Sequence, residues 1–239
     1  MNKRSEKTKA LKEAFKHTIP VFFGYIFMGI AFGALLSSKG YSFWWATLMA
    51  IVIYAGSMQF VAVSLLSAAF NPLNTLLLTF MINFRHVFYG LSLFDVFELA
   101  GKYKPYMIFS LTDETFSLLC SKKPKKGTNP QYFYFYMSLL DHIYWITGCT
   151  IGAVAQNAIN FNSKGIDFAM TALFIVIFLD QWKSAKDHNP ALIGISTTAI
   201  CLFILGKDNF LIPALIILVI CLLLYRMHWD KLNEEQKTL

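Results

Sequence analysis

Charge is scarce in this chain: only 15% of its 239 residues are Asp, Glu, Lys or Arg, against about 25% in a soluble domain. Cysteine is scarce too. Cys120, Cys149, Cys201 and Cys221 form no CxxC pair, and three of them lie inside apolar runs, so they read as small buried apolar residues rather than a disulfide framework or a zinc site. No GxxxxGK[ST] segment is present, which excludes ATP hydrolysis by a P-loop, and no HExxH is present to hold a catalytic zinc. Low-complexity segments and internal repeats are missing. A cleaved signal peptide is not expected either, because its apolar core spans about 7–15 residues and the first apolar run here is longer and rich in Gly.

What the chain does have is apolar length. Hydrophobic residues make up 56% of it, with 23 Phe, 11 Tyr and 5 Trp, an aromatic load suited to lipid and its interfaces. The net charge of +7 gathers at the start of the chain and in short connectors that flank apolar runs. No basic face interleaves with a soluble fold, so the surplus fits membrane topology and anionic head groups rather than nucleic acid.

Hydrophobic stretches of about 18 or more residues are candidate membrane helices. The expected spans are 18–37, 43–69, 72–97, 105–120, 131–156, 166–180, 190–205 and 210–225. The fold class is therefore an all-α polytopic membrane bundle of eight transmembrane helices, or seven if the third, fourth or sixth is re-entrant. Residues 1–17 read as a basic tail, in preference to an interfacial amphipathic stretch. Residues 18–226 form a single transmembrane transport domain, and 227–239 a second tail.

The positive-inside rule sets the orientation. With the N-terminus cytoplasmic, the inner side receives six Lys/Arg from the tail, Lys122, Lys123, Lys125 and Lys126, then Lys183 and Lys186, and three after Tyr225, fifteen in all. The outer side receives Lys39, Lys102, Lys104, Lys164 and Lys207, which is five. Both termini are expected in the cytoplasm.

Several polar residues fall near the centres of these runs. Asn83, Arg85 and His86 interrupt the third, Asp113 and Glu114 the fourth, and Asp141 with His142 the fifth; Gln59 lies in the second, and Asp180 and Gln181 end the sixth. A charge at the bilayer centre costs about 2.5–3.5 kcal/mol even on the lenient insertion scale, so Arg85, Asp113, Glu114 and Asp141 left bare would cost roughly 10–14 kcal/mol. That rivals the whole stability of a typical protein, about 5–15 kcal/mol. These groups must pair, protonate or line a wet cavity. Arg85 is within reach of Asp113 or Glu114 on the next span. One structural ion pair would need one acid, not three, which favours a working site over a simple lock. Asp141 and Trp145, four apart, share a helix face.

The backbone signals agree. Tyr54-Ala55-Gly56-Ser57-Met58-Gln59 places Gly and Ser at membrane depth, where a broken helix exposes backbone donors and acceptors or a helix packs tightly. Gly29 and Gly33 form a GxxxG pair, read as a packing face. A zwitterionic amino acid needs a cation for its carboxylate and an anion for its ammonium. Arg85 supplies one, and Asp113, Glu114 or Asp141 the other.

At these residues the chain resembles a known family. Tyr54-Ala55-Gly56-Ser57-Met58-Gln59-Phe60, Asn83-Phe84-Arg85-His86 with Tyr89-Gly90-Leu91-Ser92-Leu93, and Thr112-Asp113-Glu114-Thr115-Phe116 are similar, in order and on successive spans, to the motifs of the AzlC family of branched-chain amino acid permeases. Ile19-Pro20, Gly24, Gly29 and Gly33, and later Trp145, Gly148 and Gly152, fit as well. The resemblance implies a secondary permease of the bacterial cytoplasmic membrane that exports leucine, isoleucine, valine and, as a fourth candidate, methionine. It also implies a small AzlD-type membrane subunit as partner, no cofactor and no enzymatic activity. The expected substrate pathway comprises Tyr54, Gly56, Ser57, Gln59, Asn83, Arg85, His86, Asp113, Glu114, Asp141 and Trp145. Glu114, Asp141 and His86 are the proton-coupling candidates. An importer or a channel for another small solute remains within the same class. An intramembrane enzyme is disfavoured by Arg85 beside His86, which repels a cation. A purely structural or receptor-type membrane protein does not account for several acids at the midplane.

Overall fold

The structure is a computed structural model that describes residues 3–67, 71–159 and 187–238, together with 175, 178–179, 182–183 and 185. Every regular element among the described residues is helical. The chain divides into two compact units, Met1–Thr171 and Ala172–Leu239. The expected sixth span, 166–180, with Asp180 and Gln181, lies outside the described residues apart from isolated positions.

In the first unit, α1 (Lys3–Ser38) and α9 (Pro130–Ile159) are the long pieces, with 36 and 30 residues. At about 1.5 Å per residue both exceed the ~30 Å of a bilayer's hydrocarbon core. They meet through glycine. A Cβ built on Gly29 would lie 2.8 Å from the Cys149 backbone nitrogen; one on Gly33 would collide with the Cys149 carbonyl, and one on Gly152 with the Ile30 carbonyl. The GxxxG pair is thus a packing face, answered on α9 by Gly148 and Gly152. In lipid there is no hydrophobic drive between helices, so this close backbone approach supplies the attraction.

Residues 3–17, expected as a solvated tail, are instead the first turns of α1. Ala10 and Ala14, one turn apart, are wholly buried in a cluster with Leu93, Phe97, Met107, Phe133 and Met137. The lysines of this stretch occupy the other faces. Glu13 is buried between them: its carboxylate accepts from the Lys125 backbone N–H (2.7 Å) and from the Thr128 hydroxyl (2.6 Å). Lys9 Nζ donates to the Gly127 carbonyl at 2.9 Å, so two side chains of α1 clamp the 122–129 loop.

The shorter helices are interrupted where polar residues occur. The second expected span is two helices, α2 (Phe43–Val52) and α3 (Gly56–Ser67), separated at 53–55. Tyr54 takes a left-handed backbone with φ of 42°, uncommon without glycine. The third is α4 (Pro72–Asn83), α5 (Arg85–Ser92) and α6 (Phe94–Leu99), so Arg85 and His86 open a helix rather than sit inside one. The fourth is α7 (Lys104–Phe109) and α8 (Asp113–Ser121). Asp113 and Glu114 therefore form the first turn of α8, not the middle of a span. The cause is Thr112, whose extended backbone and side-chain oxygen cap the helix by accepting the Thr115 N–H at 3.3 Å. Two carboxylates at this end also suit the helix dipole.

The second unit holds α10 (Asn189–Asn209) and α11 (Leu211–Thr238), which pack on each other. α10 is kinked at Gly206, with φ of 70°. Tyr225 of α11 donates to the Asp187 carboxylate at 2.7 Å and accepts from the Asn189 amide at 3.1 Å, pinning the start of α10 to α11. The Tyr225 hydrogen bond first, and second one from the Asn189 backbone N–H to Asp187 Oδ1 (3.0 Å), hold the Asp187 carboxyl below the usual carboxylate range.

Among the described residues, two helical segments, Arg4–Ser38 and Asn189–Gly206, are both long and apolar enough to cross a membrane, with mean hydropathies of 2.1 and 1.7. Their outer faces carry large apolar side chains in the open, such as Phe27 (77% exposed) and Phe203 (92%). A water-soluble surface seldom carries many such residues together.

Candidate functional site

The first unit gathers most of the expected polar residues where α3, α5 and α8 begin, against the faces of α1 and α9. Arg85 is the first residue of α5, and its Nη2 lies 2.8 Å from Asp113 Oδ2. The same nitrogen donates to Ser57 Oγ at 3.2 Å, in the first turn of α3. One turn along α5, Tyr89 donates to the other Asp113 oxygen at 2.8 Å. Tyr89 is itself held by stacking on Phe116, with ring centroids 4.2 Å apart. Both oxygens of Asp113 are thus engaged, and Arg85 reaches Asp113 rather than Glu114. Arg85 Nε is buried and has no hydrogen-bond partner among the described residues.

Glu114, the next residue, turns to α1. Its Oε2 accepts from Tyr25 Oη at 2.7 Å, and Tyr25 Oη is 2.5 Å from Thr112 Oγ1. Thr112 Oγ1 donates to Thr115 Oγ1 at 3.0 Å, and Thr115 Oγ1 donates to Asp141 Oδ2 at 2.8 Å. Asp141 is fully buried on α9, and its other oxygen has no partner.

One turn after Asp141, Trp145 donates its indole N–H to Gln59 Oε1 at 2.9 Å. The indole lies on Gly56: a Cβ there would touch the ring at 3.4 Å, so a side chain larger than methyl would displace the tryptophan. Tyr25 meets the other side of Trp145 edge-on at 5.5 Å. Gln59 is fully buried, and its amide nitrogen has no partner among the described residues. A buried donor left without an acceptor costs about 1–3 kcal/mol, so Gln59 Nε2 calls for an occupant.

The α2–α3 break explains His142. With the helix interrupted, Tyr54 N–H donates to Met49 rather than to Ala50. The Ala50 carbonyl instead faces His142 Nε2 at 3.2 Å, while His142 Nδ1 faces Tyr106 Oη at 2.9 Å. A carbonyl only accepts, so Nε2 carries a hydrogen, and the neutral ring accepts from Tyr106. Tyr54 lies over this imidazole, with centroids 4.2 Å apart, and its hydroxyl is buried.

Asn83 and His86 stand differently. Asn83 donates to the Thr79 carbonyl at 3.0 Å, and His86 Nδ1 faces the Asn83 carbonyl at 3.0 Å, its ring edge-on to Tyr89. Neither bonds to a carboxylate. Tyr25, Tyr89, Tyr106, Thr112 and Thr115 join this network without being expected from the sequence. Tyr25 had a signal: it lies four residues before Gly29 and eight before Gly33, on the face turned to α9. Thr112 had one as well, standing where an N-cap precedes two acids. Among the described residues no group of three or more His, Cys, Asp or Glu side chains is placed to hold a metal ion.

Comparisons with known proteins agree with the motifs at this site. The family model described as AzlC protein matches residues 20–159, the stretch that holds every residue above. A branched-chain amino acid transport protein AzlC of Bacillus subtilis is 42% identical over 231 residues, spanning 97% of this chain and 91% of its own. An uncharacterized membrane protein of Helicobacter pylori is 43% identical over 218 residues, 91% of this chain and 96% of its own. The inner membrane protein YgaZ of Escherichia coli is 27% identical over 191 residues, 76% of this chain and 78% of its own. No solved structure matches the chain.

Proposed function

The chain belongs to the AzlC family of membrane transport proteins, and on that premise we propose that it is a secondary permease exporting branched-chain amino acids across the bacterial cytoplasmic membrane. The observation that carries the reading is a set of buried polar atoms without partners among the described residues: the donors Gln59 Nε2 and Arg85 Nε, and the acceptor Asp141 Oδ1. A zwitterion is their complement. Its carboxylate accepts from Arg85 and the Gln59 amide, and its ammonium donates to Asp141. Tyr54, Gly56, Ser57 and Trp145 shape the passage beside the α2–α3 break. Asn83 and His86 set the start of α5, which carries Arg85, and Glu114 lies next to the ion pair.

Broken helices fit this work, because their free backbone groups serve a polar solute where continuous helices offer none. Leucine, isoleucine and valine are the proposed solutes, with methionine as a fourth candidate, and a small AzlD-type subunit is the proposed partner. The test is counterflow of labelled leucine, isoleucine, valine and methionine into vesicles holding the full chain with and without that subunit. Saturable exchange of the branched solutes, competed by one another and not by lysine, supports the reading. Exchange with neither arrangement refutes it.

A further inference from the structure

The contacts between Glu114 and Asp141 can be counted. Four oxygen–oxygen contacts run in series: Glu114 Oε2 to Tyr25 Oη (2.7 Å), Tyr25 to Thr112 (2.5 Å), Thr112 to Thr115 (3.0 Å) and Thr115 to Asp141 Oδ2 (2.8 Å). Each contact needs one hydrogen between its oxygens. The three hydroxyls supply three. If Tyr25 donates to Glu114, and Thr112 and Thr115 donate toward Asp141, then Tyr25 and Thr112 face each other at 2.5 Å with no hydrogen between them. Any other orientation only moves the gap to a different contact. The Thr115 backbone N–H, which also points at Thr112, lies outside the series and cannot fill it.

We propose that Glu114 and Asp141 hold one proton between them, and that Tyr25, Thr112 and Thr115 form the wire along which it passes. The chain of hydrogen bonds has two complete states. In one, Glu114 is the acid and donates to Tyr25, Tyr25 to Thr112, Thr112 to Thr115, and Thr115 to the Asp141 carboxylate. In the other, every hydrogen has moved one oxygen over, Asp141 is the acid and Glu114 the carboxylate. Each step breaks one O–H bond and forms one. The net result is a negative charge carried from α9 to the start of α8 without backbone motion.

The surrounding groups leave this series alone. Arg85 is committed to Asp113 and Ser57, Asp113 to Arg85 and Tyr89, and His142 to Ala50 and Tyr106. Tyr144 bonds to Thr18. The Tyr54 hydroxyl, beside Tyr25 and Thr115, would add a contact of its own and fill none of the four. Tyr25, Thr112, Thr115 and Asp141 are all buried, so bulk water does not complete the count. Resting on the permease reading, the consequence is coupling: when the charge is on Asp141 it attracts the solute's ammonium, and when the proton arrives there the attraction is lost.

Two measurements test this. Infrared spectra of the full chain in lipid at neutral pH are expected to show the carbonyl stretch of a buried protonated carboxylic acid. The band should shift on heavy-carbon labelling of Asp and Glu carboxyls and disappear in E114Q/D141N. Its absence from the unmodified chain overturns the proposal. In vesicles, T115V removes one hydroxyl from the wire at nearly constant shape. It is expected to keep leucine counterflow and lose stimulation by an imposed pH gradient, with T115S restoring it; Y25F should match T115V. Stimulation that survives in both T115V and Y25F overturns the wire. If the unmodified chain exchanges no leucine at all, the permease reading fails by itself, and the infrared band still decides the shared proton.

Discussion

Replacing Gly33 by alanine isolates the seam between α1 and α9. The added Cβ would overlap the Cys149 carbonyl and sit 2.7 Å from the Ala153 nitrogen, where ordinary contact begins at 3.4 Å. Relieving the nitrogen contact alone parts the backbones by 0.7 Å, the difference between those two distances, and the deeper carbonyl overlap demands more. A gap of about 0.5–1 Å forfeits a quarter to a half of each dispersion contact along the line. Overpacking of this kind costs about 1–3 kcal/mol. Alanine also gains about 0.5–1 kcal/mol over glycine inside a helix, which masks part of the loss. Gly24 of the same helix removes that ambiguity, since a Cβ there meets nothing within 4 Å. G24A should therefore be neutral or slightly stabilising. The difference between G33A and G24A is the clash alone, about 1–3 kcal/mol, or about 2–12 °C in melting temperature for a chain of this size. Thermal unfolding in one detergent, followed by tryptophan fluorescence, reads it. If G33A and G24A melt together, the two helices do not meet through these glycines.

Three further outcomes are expected. R85M strands Asp113 and should lower the melting temperature, while R85M/D113N should recover part of it; a double-mutant cycle in thermal unfolding is expected to give a coupling of about 0.5–3 kcal/mol, and no coupling denies the pair. Q59M/W145F removes both members of one buried hydrogen bond and should be less destabilised than W145F alone, which leaves the same smaller ring and also strands the Gln59 carbonyl; the double variant should lose leucine counterflow, and retained flux would take the Gln59 amide out of the pathway. E13A releases the clamp on the 122–129 loop, so trypsin should cut at Lys122–Lys126 faster than in the unmodified chain with melting little changed; equal cutting rates would mean the clamp does not hold the loop.

The charged part of the site was legible in the sequence because charge in an apolar run is costly wherever it lies. Arg85, Asp113 and Asp141 announce themselves, and Gly56 beside Ser57 marks the α2–α3 break. The hydroxyls did not announce themselves. A threonine or tyrosine is cheap enough in lipid to need no explanation, and with 11 Tyr in the chain each one first reads as an interfacial anchor. Where the helices break was only half visible. Cumulative hydropathy reads 105–120 as one run, yet the Thr112 cap starts a new helix at Asp113, a local hydrogen-bond choice that averaged hydrophobicity does not register. The start of α1 was misjudged for a related reason. Its lysines dominate the composition of 3–17, while the contact that orders it rests on two alanines, Ala10 and Ala14, whose small size is the point.

The interrupted helices also constrain how the protein is made. Each break frees backbone N–H and C=O groups that lipid cannot satisfy. At the α2–α3 break the Ala50 carbonyl receives its hydrogen from His142, and at the α7–α8 break Thr115 donates to Asp141, both residues of α9. Residues 43–121 leave the ribosome before those partners exist. Neither break can settle until α9 has been synthesised and has closed against α1, so the last long helix of this unit completes the halves that precede it.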